Sequence, residues 1–319
     1  MAVPTNTVQT FDRVSIREDF TDIISNISPT ETPFVSNIGS TIARQRTHEW
    51  QTDSLVAADG NNKHVEGDDT AANVAAPTTR LANTTQIFKK SVTISGTSRA
   101  VDNAGYADEL VYQIEKRGQE IKRDVETRMC GDFAAVTGNS STASESAGAV
   151  AFMRTNAGRG VGGANPTLSG KLVNAASTAG TLRNFTEAQL KDVIQQAWTA
   201  GGNVSMALMS GPLKQTASTF AGIADLRKQA GDGPATIIGA ADVYVSDFGD
   251  ISFVPSRFTT GRDVLVIDPS LWEVADLRPY QIEELSKTGD SEKRQMLCEK
   301  TLVCMNDAGN GVIADVQAA

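Results

Sequence analysis

The sequence predicts an α+β fold in which one long helix stands between an extended β segment and a mixed second half. Three observations predict it. Leu110, Ile114, Gly118, Ile121, Val125 and Met129 recur every three or four positions, one narrow apolar stripe on a helix. Short apolar or alternating runs fall at Asp242–Ser246, Ile251–Val254, Asp263–Ile267, Trp272–Leu277, Arg294–Met305 and Val312–Val316, which read as strands. Helical patterns from Thr186 and after Pro212 stand beside those strands, so the second half is neither all-α nor all-β.

Bulk properties narrow the class. Of 319 residues, 40% are hydrophobic and 21% charged, enough apolar material for one large domain or two ordinary ones. The formal charge of -9 argues against a protein that grips nucleic acid, since such affinity comes from neutralising phosphates with a basic excess. Three scattered cysteines, Cys130, Cys298 and Cys304, form no C-x-x-C pair and read as reduced thiols, not a disulfide framework. Met1–Asn6 lacks a basic stretch followed by an apolar core, and no apolar run reaches the ~18 residues that span a bilayer. A soluble protein made in the cytoplasm is expected.

Along the chain, residues 1–43 are polar and broken by Pro4, Pro29 and Pro33, with a short amphipathic piece at Ile16–Ile27. They read as a tail or as an arm that orders on a neighbour. Thr47–Asp53 reads as a strand and Thr85–Ser95 as a second, with Val92 and Ile94 alternating among polar residues. Between them, Ala57–Thr79 is a long polar excursion, unusual inside a domain. A two-stranded arm reaching onto another subunit fits this pattern. The stripe places a helix over 104–137, roughly 45–50 Å long, with Lys116/Glu120, Lys122/Glu126 and Asp124/Arg128 spaced for i,i+4 pairs on its flanks. Residues 138–183 are Ser-, Ala-, Gly- and Thr-rich and read as loop. Thr186–Gln189 resembles a capping box that opens a helix ending at Gly201-Gly202. Val204–Met209 is short enough for a buried strand, and a helix from Pro212 to about Leu226 follows.

Motifs suggestive of catalysis lack their context. Asp247-Phe248-Gly249 spells a kinase magnesium triplet, but His48 and His64 are the only histidines and neither precedes Arg-Asp. A turn between two strands, with Gly249 at positive φ, explains it better. Gly158–Gly163 is glycine-rich without the strand-turn-helix setting of a phosphate cradle, and a flexible loop is the reading there. His64 beside Glu66, Asp68 and Asp69 reads as a solvated loop tip and not a metal site. Glu283-Glu284 and Glu299 read as exposed charge. No catalytic, metal or cofactor site is expected, and none of these features defines an enzyme.

The order of parts resembles a known family. Thr32–Ser36, Val245–Gly249, Pro255–Phe258, Leu285–Arg294, Glu299–Leu302 and Asn306 are similar to stretches of a tailed-phage capsid subgroup with the Hong Kong 97-like fold. The resemblance covers most of the chain, and Leu285–Arg294 is its most specific part. It implies an N-terminal arm (1–43), an extended loop (44–103), a peripheral domain with a spine helix (104–185), an axial domain (186–260) and a return to the peripheral domain (261–319). It implies a major capsid protein of the virion, assembling with itself into hexamers and pentamers of an icosahedral head around double-stranded DNA. That DNA is not read by sequence, and no membrane is involved. A portal and scaffold or cement proteins are the other implied partners. Contacts between subunits are expected at Trp50, Ile87, Phe88, Lys89 and Lys90, and at Glu115, Arg117 and Arg123 on the helix. Some relatives of the fold form a lysine–asparagine isopeptide bond. No motif here supports one between Lys63, Lys89 or Lys90 and Asn306 or Asn310. The alternatives are a nanocompartment shell of the same fold, or another virion part such as a tail or decoration protein.

Overall fold

The computed structural model describes residues 30–67, 69, 77–101, 108–220 and 242–318. The amphipathic piece at Ile16–Ile27, positions 104–107 of the expected spine and the expected helix beyond 220 lie outside the described residues.

The chain opens with α1 (Pro33–Asn37) and strands β1 (Gly39–Ile42), β2 (Thr47–Thr52), β3 (Thr79–Thr84) and β4 (Gln86–Ser95). Helix α2 (Gly96–Ala100) leads to the spine, α3 (Glu109–Cys130), and then to the short α4 (Ala149–Phe152). Strands β5 (Ala157–Gly158), β6 (Thr167–Ser169), β7 (Leu172–Ala175) and β8 (Arg183–Asn184) precede α5 (Glu187–Thr199), β9 (Met206–Met209) and α6 (Gly211–Ala217). The rest is β10 (Val243–Ser246), β11 (Gly249–Pro255), β12 (Val264–Ile267), β13 (Trp272–Leu285), β14 (Ser291–Cys304), β15 (Gly311–Ile313) and β16 (Val316–Gln317).

Four sheets result. One is four-stranded, β1-β13-β14-β4, one six-stranded, β10-β11-β9-β12-β15-β5, and β2-β3-β7-β6 and β16-β8 complete the set. The central strands of the six-stranded sheet, β9, β12 and β15, are buried on both faces. Met206, Leu208, Leu265, Ile267 and Val312 enter one core with Phe34, Ile121, Phe152 and Trp272. Their neighbours Ala207, Met209, Val264, Val266 and Ile313 enter a second core beneath α5 and α6. Alternate side chains leave a strand on opposite faces, so two-sided burial requires the unbroken apolar runs at Met206–Met209 and Val264–Ile267.

The spine is shorter than its sequence pattern suggests. Its 22 residues give about 33 Å, not 45–50 Å. Asp108 caps it, its carboxylate accepting from Leu110 N at 2.9 Å. It ends at Gly131 because the following chain spends its backbone elsewhere: Ala135 N donates to Val173 O and Val136 N to Glu145 O. The stripe itself packs as read. Leu110 and Ile114 meet Val92 and Ile94, while Ile121, Val125 and Met129 enter the first core. Gly118 leaves room for the Met296 thioether, 3.5 Å from where a Cβ would stand.

Two further expectations change. The strand at Thr47–Thr52 pairs with Thr79–Thr84, of which only Thr79 belongs to the polar excursion, and not with the strand at Gln86–Ser95, which pairs with β14. Thr85 is the pivot between the two sheets: its N donates to Arg46 O at 2.8 Å and its Oγ1 to Glu299 at 2.7 Å. The stretch 138–183 is not all loop either. Ala147 and Ala149–Met153 are fully buried in the first core, where small residues let α4 lie against the spine and β14.

Candidate functional site

Strands β2 and β3 form an antiparallel ribbon whose register runs from Thr47–Thr84 to Thr52–Thr79. Its base is fixed. Trp50 Nε1 donates to Cys304 O at 2.7 Å, and the ring lies 6.0 Å from Phe152. Asn83 is fully buried and joins three segments, accepting from Ala147 N and donating to Leu302 O and Ser146 Oγ. Lys171 and Arg80 pair with Glu49 on the ribbon's flank. Beyond Thr52 the connection leaves the body. Leu55 is 98% exposed and Val56 87%, two aliphatic side chains that nothing among the described residues covers.

The expected contact residues fall into two groups. Phe88 is buried in the first core, which leaves no surface for a neighbour, and Trp50 is half-buried and tied down at the ribbon base. Within the subunit both pack inward, as their spacing on strands beside apolar partners dictates. The others lie outside. Ile87 is half exposed, and Lys89 and Glu115 are exposed. Lys90 pairs with Asp124 at 2.9 Å, Arg117 with Glu120, and the Arg123 guanidinium lies 5.8 Å from the Phe258 ring centre. The structure brings β4 and α3 together, so Ile87, Lys89 and Asp124 line one shallow surface with Arg128 and Phe133.

The flank pairs of the spine differ from those its spacing suggests. Asp124 takes Lys90, Arg128 takes Glu145, and Arg117 takes Glu120. Glu126 takes no lysine. It is fully buried and accepts the N–H groups of Phe34 at 2.7 Å and Val35 at 2.9 Å, docking α1 onto the spine. Burial pushes its carboxyl up against the pull of those two amides and the Cys130 thiol. The available signal was its place beside Val125 on the apolar flank.

The glycine-rich segment Gly158–Gly163 is an ordered clamp, not a flexible loop. Gly160 N and Gly180 N donate to the two oxygens of Asp315, and Arg262 Nη2 donates to Asp315 Oδ1 at 2.5 Å. The backbone amides do cradle an anion, and it is a side chain of the same subunit. Asp247-Phe248 is the turn between β10 and β11, with Gly249 at φ 135°, as its sequence reads. His64 is exposed beside Asn62. Glu283 and Glu284 are exposed, but Glu299 is buried, pairing with Arg278 and Thr85. Asn310 is fully buried, with its Oδ1 accepting from Trp272 Nε1 and Asp268 N and its Nδ2 donating to Asn306 O. Its carboxamide is engaged within the subunit. The three thiols are free and buried, and burial raises the Cys298 thiol to about 12. Among the described residues no helix is long and apolar enough to cross a membrane.

The mixed helices and sheets have the Hong Kong 97-like fold of phage capsid subunits. A subunit in the Cyanophage A-1(L) capsid asymmetric unit superposes with a TM-score of 0.70 at 12% identity, covering 97% of this chain and 99% of that one. A Mycobacterium phage Cain chain gives 0.61 at 12% identity over 98% and 99%. A chain from the capsid of a native GTA particle, computed with C5 symmetry, gives 0.60 at 11% identity over 97% and 98%. At such identities the likeness is one of fold. The family model described as SU10 major capsid protein matches residues 3–317. The major capsid protein of Escherichia phage Phieco32 is 31% identical over 347 residues, 98% of this chain and 97% of that protein. The chain belongs to the SU10 major capsid protein family and serves as a structural subunit of a tailed-phage virion.

Proposed function

We propose that copies of this chain gather into hexamers and pentamers and close an icosahedral head around double-stranded DNA, as building material and not as a catalyst. The observation that carries this reading is the ribbon connection 53–78. Its described apolar residues, Leu55, Val56 and Val65, are 98%, 87% and 77% exposed, an apolar surface that contact with another copy would bury. The arm, extended loop, peripheral, axial and return divisions follow from the same reading. The six-stranded sheet draws β5, β12 and β15 from either side of the 186–260 segment, which ties the divisions together. Ile87, Lys89, Lys90, Glu115, Arg117 and Arg123 are the contact candidates that remain at the surface. A portal, and scaffold or cement proteins, are the other partners, and synthesis takes place in the host cytoplasm. The net charge of -9 suits a wall that faces DNA without gripping it. The test replaces residues 55–76 with a short Gly-Ser turn, keeping β2 and β3 whole. Expected is a folded subunit by circular dichroism that builds no closed shells under negative-stain electron microscopy. Normal particles from that variant overturn the reading.

A further inference from the structure

We propose that the groove between helix α5 and strand β10 is a docking site for an extended, basic segment of a polypeptide other than this chain, which adds as one more strand to the open edge of β10.

The helix supplies one wall. Glu187, Lys191, Gln195 and Trp198 recur every three or four positions, so they share one flank of α5, beside the face that Leu190, Val193 and Ala197 bury. That flank and β10 bound a groove of about 420 Å³. At one end the Trp198 and Phe248 rings stand 5.0 Å apart, 55% and 36% exposed. At the other, Glu187 accepts from Tyr244 Oη at 2.9 Å and from Lys191 Nζ at 2.8 Å, which neutralises the groove's lysine.

The strand supplies the other wall, and its edge is open. In the described residues β10 pairs with β11 alone, antiparallel, Tyr244 opposite Ile251. Phe253 N donates to Asp242 O at 2.7 Å, so positions 242, 244 and 246 spend their amides and carbonyls on β11. Val243 and Val245 therefore turn their N–H and C=O groups to the outer edge, where none meets a backbone partner among the described residues. A free edge beside a helix wall holds an added strand by main-chain hydrogen bonds, while alternate side chains of that strand meet the helix.

Charge selects the occupant. Asp247 lines the groove and Asp250 stands opposite Val245. Both are exposed, and among the described residues neither has a cation within 4 Å. With Lys191 taken by Glu187, the groove is acidic and favours a strand that carries lysine or arginine, whose stems pack on the aromatic pair. A second copy of this chain, at a formal charge of -9, is the poorer match.

The test uses the full chain and two fluorescein-labelled synthetic peptides, Lys-Val-Lys-Val-Lys-Val-Lys-Val and Lys-Pro-Lys-Pro-Lys-Pro-Lys-Pro. They carry the same charge, but the second cannot pair as a strand. Fluorescence anisotropy is expected to show saturable binding of the first and about tenfold weaker binding of the second. Asp247→Asn with Asp250→Asn, and separately Trp198→Ala, are each expected to weaken the first peptide about tenfold, with circular dichroism unchanged. Amide exchange at Val243 and Val245 is expected to slow in the complex with the first peptide alone. Equal binding of the two peptides, or unslowed exchange at both valines, overturns strand addition. Binding that neither variant weakens, or no saturable binding, overturns the site. A peptide that separates copies of the chain from one another in sedimentation makes the groove a contact between copies and overturns the foreign partner. Both variants are expected to build shells as the parent does, so this site stands or falls apart from the shell reading.

Discussion

Asp315 lies at φ 58°, in the region that side chains with a Cβ avoid, and it is almost fully buried. Its carboxylate compensates by holding Gly160, Gly180 and Arg262 at once. Each buried amide left without an acceptor costs about 1–3 kcal/mol, so Asp315→Ala should lose roughly 2–4 kcal/mol in a denaturant melt. Asp315→Gly loses the same bonds but relieves the backbone, and should melt later than the alanine variant by about 1 kcal/mol. Equal melts would show that the strain contributes nothing. The same site predicts a pH dependence. Burial opposes ionisation of Asp315, but the two amides and Arg262 outweigh it and hold the carboxyl below its ordinary value. Its contribution is therefore complete above the unfolded value near ~3.9 and is lost as pH falls through the depressed folded value. Glu126 works in the opposite sense. Its raised carboxyl favours the fold most at low pH, and that contribution is lost as pH rises from the unfolded value near ~4.3 through the raised folded one. Melting curves across pH 3–7 should show Asp315→Asn flattening the acid limb and Glu126→Gln removing the loss at higher pH.

Helix α5 was legible in its start, its end and most of its buried face because its signals are local, Trp198 alone of its expected apolar face standing exposed. Thr186 and Gln189 cap each other reciprocally, Leu190, Val193, Ile194 and Ala197 face the second core, and Gly201 at φ 91° ends the run. Thr186→Ala removes half of that box and should cost about 1 kcal/mol, a shift of a few degrees in the thermal midpoint. An unchanged midpoint would mean that packing alone sets the end of the helix. The spine was legible in its stripe but not in its charges. Lys122/Glu126 has ideal i,i+4 spacing, yet Glu126 turns to two amides 91 and 92 residues away. Strand β3 was hidden for a related reason. Thr-Arg-Leu-Ala-Asn-Thr looks like loop, because Asn83 satisfies its buried amide through Ala147 and Leu302, which no local pattern reveals. Helix α4 was missed because Ala-Val-Ala-Phe has no polar face to set a period. The exposure of residues 53–67 was legible, since so polar a connection has few partners inside a domain.

At the scale of the molecule, strands β9, β12 and β15 belong to both cores at once. Leu208 faces the first core and Met209 the second, one residue apart on the same strand. A two-lobed protein joined by a linker melts in two steps, but here neither core can open without exposing one face of the shared sheet. The subunit should therefore unfold in a single transition. Leu208→Ala leaves a void in the first core and should cost about 2–5 kcal/mol, with Met209→Ala costing a similar amount through the second. The decisive readout is where the loss is felt. Assembly would mask it by stabilising the folded state through mass action, so the shortened-ribbon chain is the material to use. Leu208→Ala should accelerate amide exchange in α5, which touches only the second core, as much as in the spine beside it. Met209→Ala should do the reverse with equal reach. Calorimetric and van't Hoff enthalpies should agree for the parent and both variants. Two separable transitions, or exchange that quickens only on the substituted side, would mean that the six-stranded sheet divides the subunit instead of joining it.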